Sequence, residues 1–372
     1  MISIREAKTK AEITEFVKFP FGLYKNEPNW VPTLINDEVN SFDKNQNPLF
    51  ENADAHFYLA YQNNKIVGRI AAIINWDEVN HQGKKKVRFG WWDVIDDVHV
   101  TKALLDKVYE FGHKNNLEYV EGPMGFSNLD KVGVLTEGFD QMGNMITWYN
   151  FPYYINHLEQ LGFVPEKEYV ESIFPFSNVK PEFFEKAQEL IKKRYKLQPK
   201  DFTKIKDVMP YVDEMFDLFN NSYSVLPSFV AVTERQKEYF KKKYISLINP
   251  EYIKFVFDEN NKLIAFGIVM PDFSEALKKA KGSLFPFGFY HMLKAKKHSK
   301  TVLFYLIGIQ PEYQNRGVTA IIFKQYFDTF TQKGIKTCIR TPELIENTAI
   351  HAIWKHFDPK INKRRKTFTK KL

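Results

Sequence analysis

Apolar residues recur along this chain with a period of two in some stretches and with the spacing of a helix in others. These two kinds of stretch follow each other in the same order in both halves of the chain. Residues 56–74 and 252–270 each show the period of two that is typical of strands, interrupted by an Asn-Asn pair that favours a hairpin turn. The apolar runs 87–95 and 302–309 predict further strands, and each is followed by the apolar spacing of a helix. The pattern predicts an α/β protein.

A spacing comparison indicates that the two halves arose by internal duplication. Residues 100–120 and 318–338 have the same length, begin with Val-Thr and carry an apolar stripe that ends in a polar turn. Prolines flank polar residues near the middle of the chain, which is typical of a linker. We therefore predict two domains, residues 1–176 and 177–372.

The second half contains further elements of both kinds. The pattern predicts helices at 209–223, 235–248, 318–333 and 347–357, and strands at 336–341 and in the basic tail 360–371. An asparagine precedes two helices at matching places in the two halves. We expect Asn150 and Asn347 to stand at the beginnings of these helices, as caps.

The turn between strand 302–309 and the following helix has the composition of an anion site. Exposed N–H groups that lead to a glycine at the start of a helix direct unpaired amides and the helix dipole at a ligand. Gly317 lacks a Cβ that would separate the backbone from a phosphate, and Arg316 can bind a phosphate oxygen. On spacing alone, an ordinary strand–turn–helix junction fits equally well.

The same turn carries a resemblance to a known family. It reads Pro-Glu-Tyr-Gln-Asn-Arg-Gly-Val-Thr from Pro311 to Thr319, and it resembles the P-x-Y-Q/R-x-x-G-x-G/A loop of the GNAT superfamily of acyl-CoA-dependent N-acyltransferases. Thr319 replaces the last small residue. The resemblance implies two tandem GNAT-like domains, each a mixed, mostly antiparallel sheet flanked by helices, with acetyl-CoA or another acyl-CoA as co-substrate and no metal. It implies that acyl-CoA contacts Ile307, Ile309, Gln314, Asn315, Arg316, Gly317, Val318, Thr319 and Asn347.

The first half provides an internal control for this assignment. Alignment of the two halves places His99 at the position of Gly317 and Asp96 at the position of Gln314. Asp96 and Asp97 would meet a diphosphate with like charge, which costs about 1 kcal/mol in water and about 4 kcal/mol at intermediate dielectric for each close contact. We predict one acyl-CoA site for each chain, in the second half.

The resemblance also implies candidates for the chemistry. Many GNAT enzymes use a tyrosine seven residues after the helix-capping asparagine as the proton donor, and this chain has Trp354 there. Substitutes that remain open are Tyr305, Tyr313, His351 and unassisted departure of the thiolate. The N–H of Ile309 is implied as the donor to the thioester carbonyl. Glu343 or Glu346 would accept the ammonium proton of the amine, and we select Glu343 with Tyr305 and Ile309 as the catalytic set.

Two inserted segments are candidates for the acceptor side. The insertion 271–300 mixes aromatic residues with seven lysines, and it is expected either to cover the acceptor cleft and favour an anionic substrate or to contact a membrane surface. The loop-rich stretch 122–145 offers Asn128, Asp130 and Glu137 to the same cleft, with hydrogen-bonded turns as the structural alternative.

Composition narrows the class of protein. The chain has 372 residues with 44% hydrophobic and 26% charged positions, which suits a folded protein of two domains. The start, MISIREAKTK, lacks the apolar segment of a secretory leader, and no apolar run has the length of a membrane span. We therefore expect a cytoplasmic protein. A single cysteine, Cys338, excludes an internal disulfide and a cysteine-based metal cluster and is expected to be buried.

Charge and resemblance together define the functional hypotheses. The net charge of +8 is concentrated in 278–300 and 360–371, which favours anionic ligands, with solvated surface as the alternative. The resemblance implies acetyl transfer to a primary amine of a small-molecule or peptide acceptor. One alternative is aminoacyl or peptidyl transfer from charged tRNA, with the basic surface as the nucleic-acid contact, although zinc-finger spacing and an RRM signature are missing. The other is a non-catalytic CoA-binding sensor or scaffold. The oligomeric state stays open.

Overall fold

The chain forms two compact units, each assembled from separate stretches of sequence. The computed structural model describes residues 1–127, 129–225, 229–244 and 248–372. The first unit contains Met1–Val170, Ser274–Met292 and Asn362–Leu372. The second contains Glu171–Phe273 and Leu293–Ile361.

Strands and helices alternate through most of the chain. The strands are β1 Ile2–Glu6, β2 Ala53–Gln62, β3 Lys65–Asn75, β4 Lys86–Val94, β5 Tyr119–Gly122, β6 Val134–Glu137, β7 Val164–Pro175, β8 Gln198–Lys200, β9 Ile253–Phe257, β10 Leu263–Pro271, β11 Thr301–Ile309, β12 Thr337–Leu344 and β13 Lys360–Lys371. The helices are α1 Lys10–Leu23, α2 Ile35–Ser41, α3 Trp76–Asn80, α4 Val98–Lys114, α5 Tyr153–Gln160, α6 Glu182–Tyr195, α7 Ile205–Val208, α8 Val212–Tyr223, α9 Glu234–Tyr244, α10 Ser274–Ala280, α11 Gly288–His298, α12 Thr319–Lys333 and α13 Thr348–Trp354. Among the described residues, no helix combines the length and the apolar character needed to cross a membrane.

The sheet of the first unit has the strand order β1-β2-β3-β4-β5-β13, and β6 pairs with β13. Adjacent strands in this sheet are antiparallel, except that β4 and β5 are parallel. Helix α4 packs against the sheet because its apolar residues recur every three or four positions and form one face. Val100, Leu104 and Val108 on that face are fully buried.

The sheet of the second unit repeats this arrangement. Its strand order is β12-β11-β10-β9-β8, again antiparallel except for one parallel pair, β11 and β12. Helix α12 lies close to β10, where a Cβ added at Gly267 would come within 2.7 Å of the Tyr326 hydroxyl. The predicted fold class is confirmed, since both sheets are mixed, mostly antiparallel and flanked by helices.

Local sequence signals account for the hairpins but not for every helix start. Asn63 and Asn64 adopt φ values of 51° and 57° in the β2–β3 turn, a conformation that asparagine tolerates better than most residues. The expectation that Asn150 begins a helix is wrong. Its side chain instead accepts the Leu135 N–H at 2.7 Å and donates to the Leu135 carbonyl at 3.1 Å, which satisfies the buried backbone of β6. Helix α5 begins three residues later, at Tyr153.

Candidate functional site

Strands β11 and β12 are hydrogen-bonded over only part of their length. Their parallel pairing joins 301–304 with 337–340, whereas β11 continues to Ile309. Opposite β10, Leu306 faces Ile268 and Phe304 faces Val269, so Tyr305 forms a β-bulge between them. The bulge lies where the two parallel strands part. Within the described chain, the stretch 306–309 therefore has one edge that β12 does not cover.

The backbone groups of Ile307 and Ile309 point toward that uncovered edge. The Gln310 N–H donates to the Ile264 carbonyl of β10 at 2.9 Å. Hydrogen-bonded and non-hydrogen-bonded pairs alternate in an antiparallel ladder, so every second residue before Gln310 turns its polar groups away from β10. Ile309 and Ile307 are those residues.

Two side chains already occupy the carbonyl groups at this edge. The Tyr223 hydroxyl at the end of α8 donates to the Ile307 carbonyl at 3.1 Å, and the Gln314 side-chain amide donates to the Ile309 carbonyl at 3.1 Å. Burial raises the pKa of Tyr223 to about 12, so its hydroxyl keeps its proton at neutral pH. Tyr223 was missed from the sequence, because no local pattern connects α8 with β11.

The turn that follows β11 presents a series of backbone amides at the beginning of α12. Asn315 and Gly317 adopt positive φ values of 58° and 77°, which bend the chain between a short 3₁₀ turn and the helix. In the part of the chain that the structure describes, N–H groups without a protein acceptor belong to Asn315, Arg316, Gly317, Val318 and Thr319. Unpaired amides at a helix N-terminus form a site for an anion.

Neighbouring side chains define the walls of this turn. A Cβ added at Gly317 would come within 2.6 Å of the terminal methyl of Ile191 on α6, which a change of rotamer can relieve, so the positive φ is what favours glycine there. The Arg316 guanidinium is exposed and lies 5.5 Å from the ring centre of Tyr195 and 5.9 Å from that of Tyr313. The two rings hold a cation at the mouth of the amide turn. Tyr195 carried no signal in the sequence.

Glu343 lies in a largely buried polar cluster beside β12. Its carboxylate forms an ion pair with Arg340 and accepts the Trp354 indole N–H at 3.1 Å. Burial raises the pKa of Glu343, while Arg340 and the other donors act to lower it. Arg340 also donates to the Ser172 hydroxyl at 3.2 Å. The role of Glu343 as the base stays a prediction.

The same cluster determines the tautomer of His351. Arg340 lies 3.0 Å from its Nδ1, and the Leu344 carbonyl lies 2.9 Å from its Nε2. A guanidinium only donates and a carbonyl only accepts, so Nδ1 is the acceptor and Nε2 carries the proton.

Other residues singled out in the sequence have structural roles. Asn347 caps α13 as expected, with its side chain accepting the Ile350 N–H at 3.2 Å. Trp354 is buried, with its ring centre 4.9 Å from that of Phe304. Gly308 faces the Phe266 ring, and a Cβ there would come within 2.3 Å of it, so packing alone accounts for this glycine. Cys338 is buried as expected, and burial raises the pKa of its thiol.

The corresponding edge of the first unit is filled by its own chain. Parallel pairing of β4 with β5 covers only 86–88 and 119–121, although β4 continues to Val94. The Tyr153 hydroxyl donates to the Val94 carbonyl at 2.6 Å, and the Val94 N–H donates to the Tyr154 hydroxyl at 3.0 Å. These tyrosines bond both the carbonyl and the N–H of Val94, whereas the side-chain bonds described above for the second unit reach only the carbonyl groups of Ile307 and Ile309.

Carboxylates close the helix start of the first unit. The Asp97 side chain accepts the His99 N–H at 2.9 Å, and helix α4 begins at Val98. Asp96 lies 3.1 Å from Nε2 of His157. A carboxylate therefore already satisfies an amide at the start of α4, and in the alignment of the two halves α4 begins earlier than α12. The start of α12 has no side-chain cap.

The inserted segments lie mainly within the first unit. Ser274 donates to the Gly143 carbonyl at 3.0 Å, and Lys278 donates to the Pro28 carbonyl at 2.6 Å. In the loop 122–145, Asp130 accepts the Ser127 N–H at 3.0 Å. Glu137 forms an ion pair with Arg364 at 3.2 Å, and Asn128 lies outside the described residues. The contribution of these residues to an acceptor cleft stays a prediction.

The basic tail is a strand rather than a uniformly solvated surface. Arg365 of β13 is buried and donates to the Trp148 carbonyl at 2.6 Å. Arg364 forms an ion pair with Glu168 at 2.6 Å. Part of the positive charge in this segment is therefore used inside the first unit and is not available to an anionic partner.

Comparison with known proteins gives relatives in sequence and in structure. No protein-family model matches the chain. It is 25% identical to Protein YghO of Escherichia coli strain K12, over 99% of this chain and 95% of that protein. It is 24% identical to the bacterial ceramide synthase of Caulobacter vibrioides, over 84% of this chain and 82% of that protein.

A solved structure matches this chain over its whole length. A tandem GNAT protein from the clavulanic acid biosynthesis pathway superimposes with a TM-score of 0.57 and 10% identity, over 100% of this chain and 98% of that one. Such low identity supports a statement about architecture and none about substrate. In both sheets the parallel pair of strands separates partway along its length, β4 from β5 and β11 from β12. This shared feature agrees with the predicted duplication. This chain therefore has the fold of the tandem GNAT proteins.

Proposed function

We propose that this protein is an acyl-CoA-dependent N-acyltransferase with one acyl-CoA site, in its second unit. The observation that carries the proposal is the series of unpaired amides from Asn315 to Thr319 beside the uncovered edge of β11. A diphosphate suits the amide turn and the Arg316 guanidinium. An extended arm that bears amide groups suits a strand edge with accessible backbone donors.

The proposed chemistry is direct attack of a neutral amine on the thioester. The N–H of Ile309 would stabilise the negative charge that develops on the thioester oxygen. Glu343 is the proposed acceptor of the amine proton, since burial raises its pKa toward the pH at which the enzyme would operate. Tyr305 at the bulge is the proposed donor to the departing thiolate. Tyr223, which bonds the Ile307 carbonyl, is a second candidate that only the fold provides.

A second, more specific function is favoured by the ceramide synthase relative. Ceramide is a long-chain amino alcohol whose nitrogen carries an acyl group, so its formation is an N-acylation. In this version the acceptor is a long-chain amine and the donor is a long-chain acyl-CoA. Incubation with acetyl-CoA and palmitoyl-CoA, each with a hydrophilic amine or a long-chain amino alcohol, would distinguish the two versions by the product that forms.

A thermal melt with acetyl-CoA provides the test of the binding site. A ligand at 100 times its dissociation constant adds about 2.7 kcal/mol to the free energy of unfolding, and we expect the wild-type protein to show the corresponding rise in Tm. Gly317→Glu should abolish this rise, because it places a carboxylate and a side chain within the amide turn. Arg316→Glu, at an exposed position, should reduce the rise without disturbing the fold.

The matched control is His99→Glu, at the position of Gly317 in the first unit. This variant should keep the full rise in Tm, since a carboxylate already caps that helix start. An equal response of Gly317→Glu and His99→Glu would contradict the assignment of a single site. A rise in Tm without any acylated product from either donor would instead support the non-catalytic CoA sensor. Salt-sensitive binding of tRNA with no response to acyl-CoA would support the tRNA-dependent alternative.

A further inference from the structure

A short segment between α10 and the end of α11 exposes large apolar side chains. We call residues 284–297 the aromatic–basic segment. The exposed fractions of its apolar side chains are 43% for Leu284, 83% for Phe285, 72% for Phe287, 52% for Phe289, 56% for Tyr290 and 60% for Leu293. Isolated exposed apolar residues are common on folded proteins, but a contiguous group of this kind indicates an interaction surface.

The fold presents these side chains in a defined arrangement. The Ser283 hydroxyl donates to the Phe285 carbonyl at 2.8 Å, and the Phe289 N–H donates to the Leu284 carbonyl at 2.7 Å. In α11, Gly288 and Met292 are buried on the inner face. Helical spacing then places Phe289, Tyr290 and Leu293 together on the outer face.

Positive charge follows the apolar residues along the same face. Lys294 and Lys297 of α11 are exposed, and one helical turn separates each from the exposed aromatic or leucine side chains. Lys279 and Lys281 are exposed just before the segment. The sequence contains no aspartate or glutamate between Glu275 and Glu312. The surface is therefore apolar in its centre and basic at its borders.

We propose that the aromatic–basic segment docks the protein on the surface of an anionic phospholipid bilayer. Aromatic and leucine side chains enter the boundary between headgroups and acyl chains, while lysines reach anionic headgroups, which is the composition of helices that lie in the membrane interface. Clusters of lysine without acidic residues are attracted to anionic lipid. A protein partner would need an apolar surface with acidic residues placed to match these lysines. An anionic bilayer offers an apolar interior and negatively charged headgroups, and it needs no fixed shape. Docking does not depend on the proposed transfer chemistry.

Vesicle flotation tests this proposal directly. Wild-type protein should float with vesicles that contain phosphatidylglycerol, bind vesicles of pure phosphatidylcholine at least tenfold more weakly, and lose most binding in 0.5 M salt because ionic attraction is screened. Phe285→Ser/Phe287→Ser/Phe289→Ser should lower the partition coefficient at least tenfold. Leu190→Ser is the matched control, since Leu190 is 67% exposed on α6, and it should float like the wild type.

A charge-reversal pair provides an independent arm. Lys294→Glu/Lys297→Glu should lower binding at least tenfold, whereas Lys10→Glu/Lys18→Glu, at exposed positions on α1, should have little effect. The stabilisation by acetyl-CoA should be unchanged in the serine variant, so failure of docking and failure of the transferase proposal are distinguishable. The proposal is overturned if the wild type stays at the bottom of the gradient or if both test variants float normally. It is also overturned if the serine variant converts a wild-type dimer to a monomer, since a second copy would then cover the segment.

Discussion

Replacing Arg340 with methionine is expected to lower the free energy of unfolding by about 3–5 kcal/mol. The change leaves the carboxylate of Glu343 in a largely buried place with its main counter-ion removed, although the Trp354 indole N–H remains. It also removes the donor to Nδ1 of His351. Urea denaturation at pH 8 measures the loss.

The pH dependence of this variant follows from the direction of the pKa shift. Burial raises the pKa of Glu343 and Arg340 opposes that rise, so the pKa must move further up when Arg340 is removed. A carboxyl group with a raised pKa in the folded state favours folding when it is protonated, and this contribution is lost as the pH rises through that pKa. The deficit of Arg340→Met relative to the wild type should therefore shrink when denaturation is repeated at pH 5.

Two further variants test whether the loss of stability comes from breaking the Arg340–Glu343 ion pair or from replacing a charged side chain with methionine in general. Arg340→Met/Glu343→Leu removes both charges and should recover most of the lost stability, because no unpaired ion remains. Lys324→Met removes one partner of the exposed helical pair with Asp328 and should change stability by at most about 1 kcal/mol. A double variant as unstable as Arg340→Met would mean that packing of Arg340, rather than its charge, stabilises the cluster.

Ile309→Pro is expected to reduce kcat for acyl transfer by about 10²–10³-fold, equal to about 2.7–4 kcal/mol of transition-state stabilisation. Proline removes the one N–H that the proposal directs at the thioester oxygen. The substitution is compatible with the strand because that N–H points away from β10, whereas the Gln310 N–H that bonds Ile264 is retained. Stabilisation by acetyl-CoA should largely persist, since the amide turn is unchanged.

Ile309→Ala is the matched control, because it removes the side chain and keeps the N–H. Its kcat should stay close to that of the wild type, and the comparison of both variants uses single-turnover rates with saturating acyl-CoA. If the proline and alanine variants transfer the acyl group equally fast, Ile309 does not supply the oxyanion donor. If neither variant nor the wild type forms product with any amine, the catalytic proposal fails while the CoA site is tested separately by the melt.

The sequence by itself determined the elements that depend on local chemistry. The hairpins, the strand before the amide turn and helix α12 follow from periodicity and from asparagine or glycine at positions of positive φ. The sequence identified Gly317 as part of the candidate anion site, because glycine can adopt a positive φ and lacks a Cβ whatever its tertiary surroundings are. Asp97 was recognised in the same way as unsuited to a phosphate, and its carboxylate caps α4.

Only the tertiary structure decided which distant residues meet. Tyr223 reaches the Ile307 carbonyl across 84 positions of sequence, and Ser172 reaches Arg340 across 168. The strand β13 returns to β5 and β6 of the first unit, and Asn150 bonds Leu135 rather than a helix start. Periodicity reports which face of an element is apolar, but the choice of partner depends on burial and on the pairing of backbone groups contributed by remote parts of the chain.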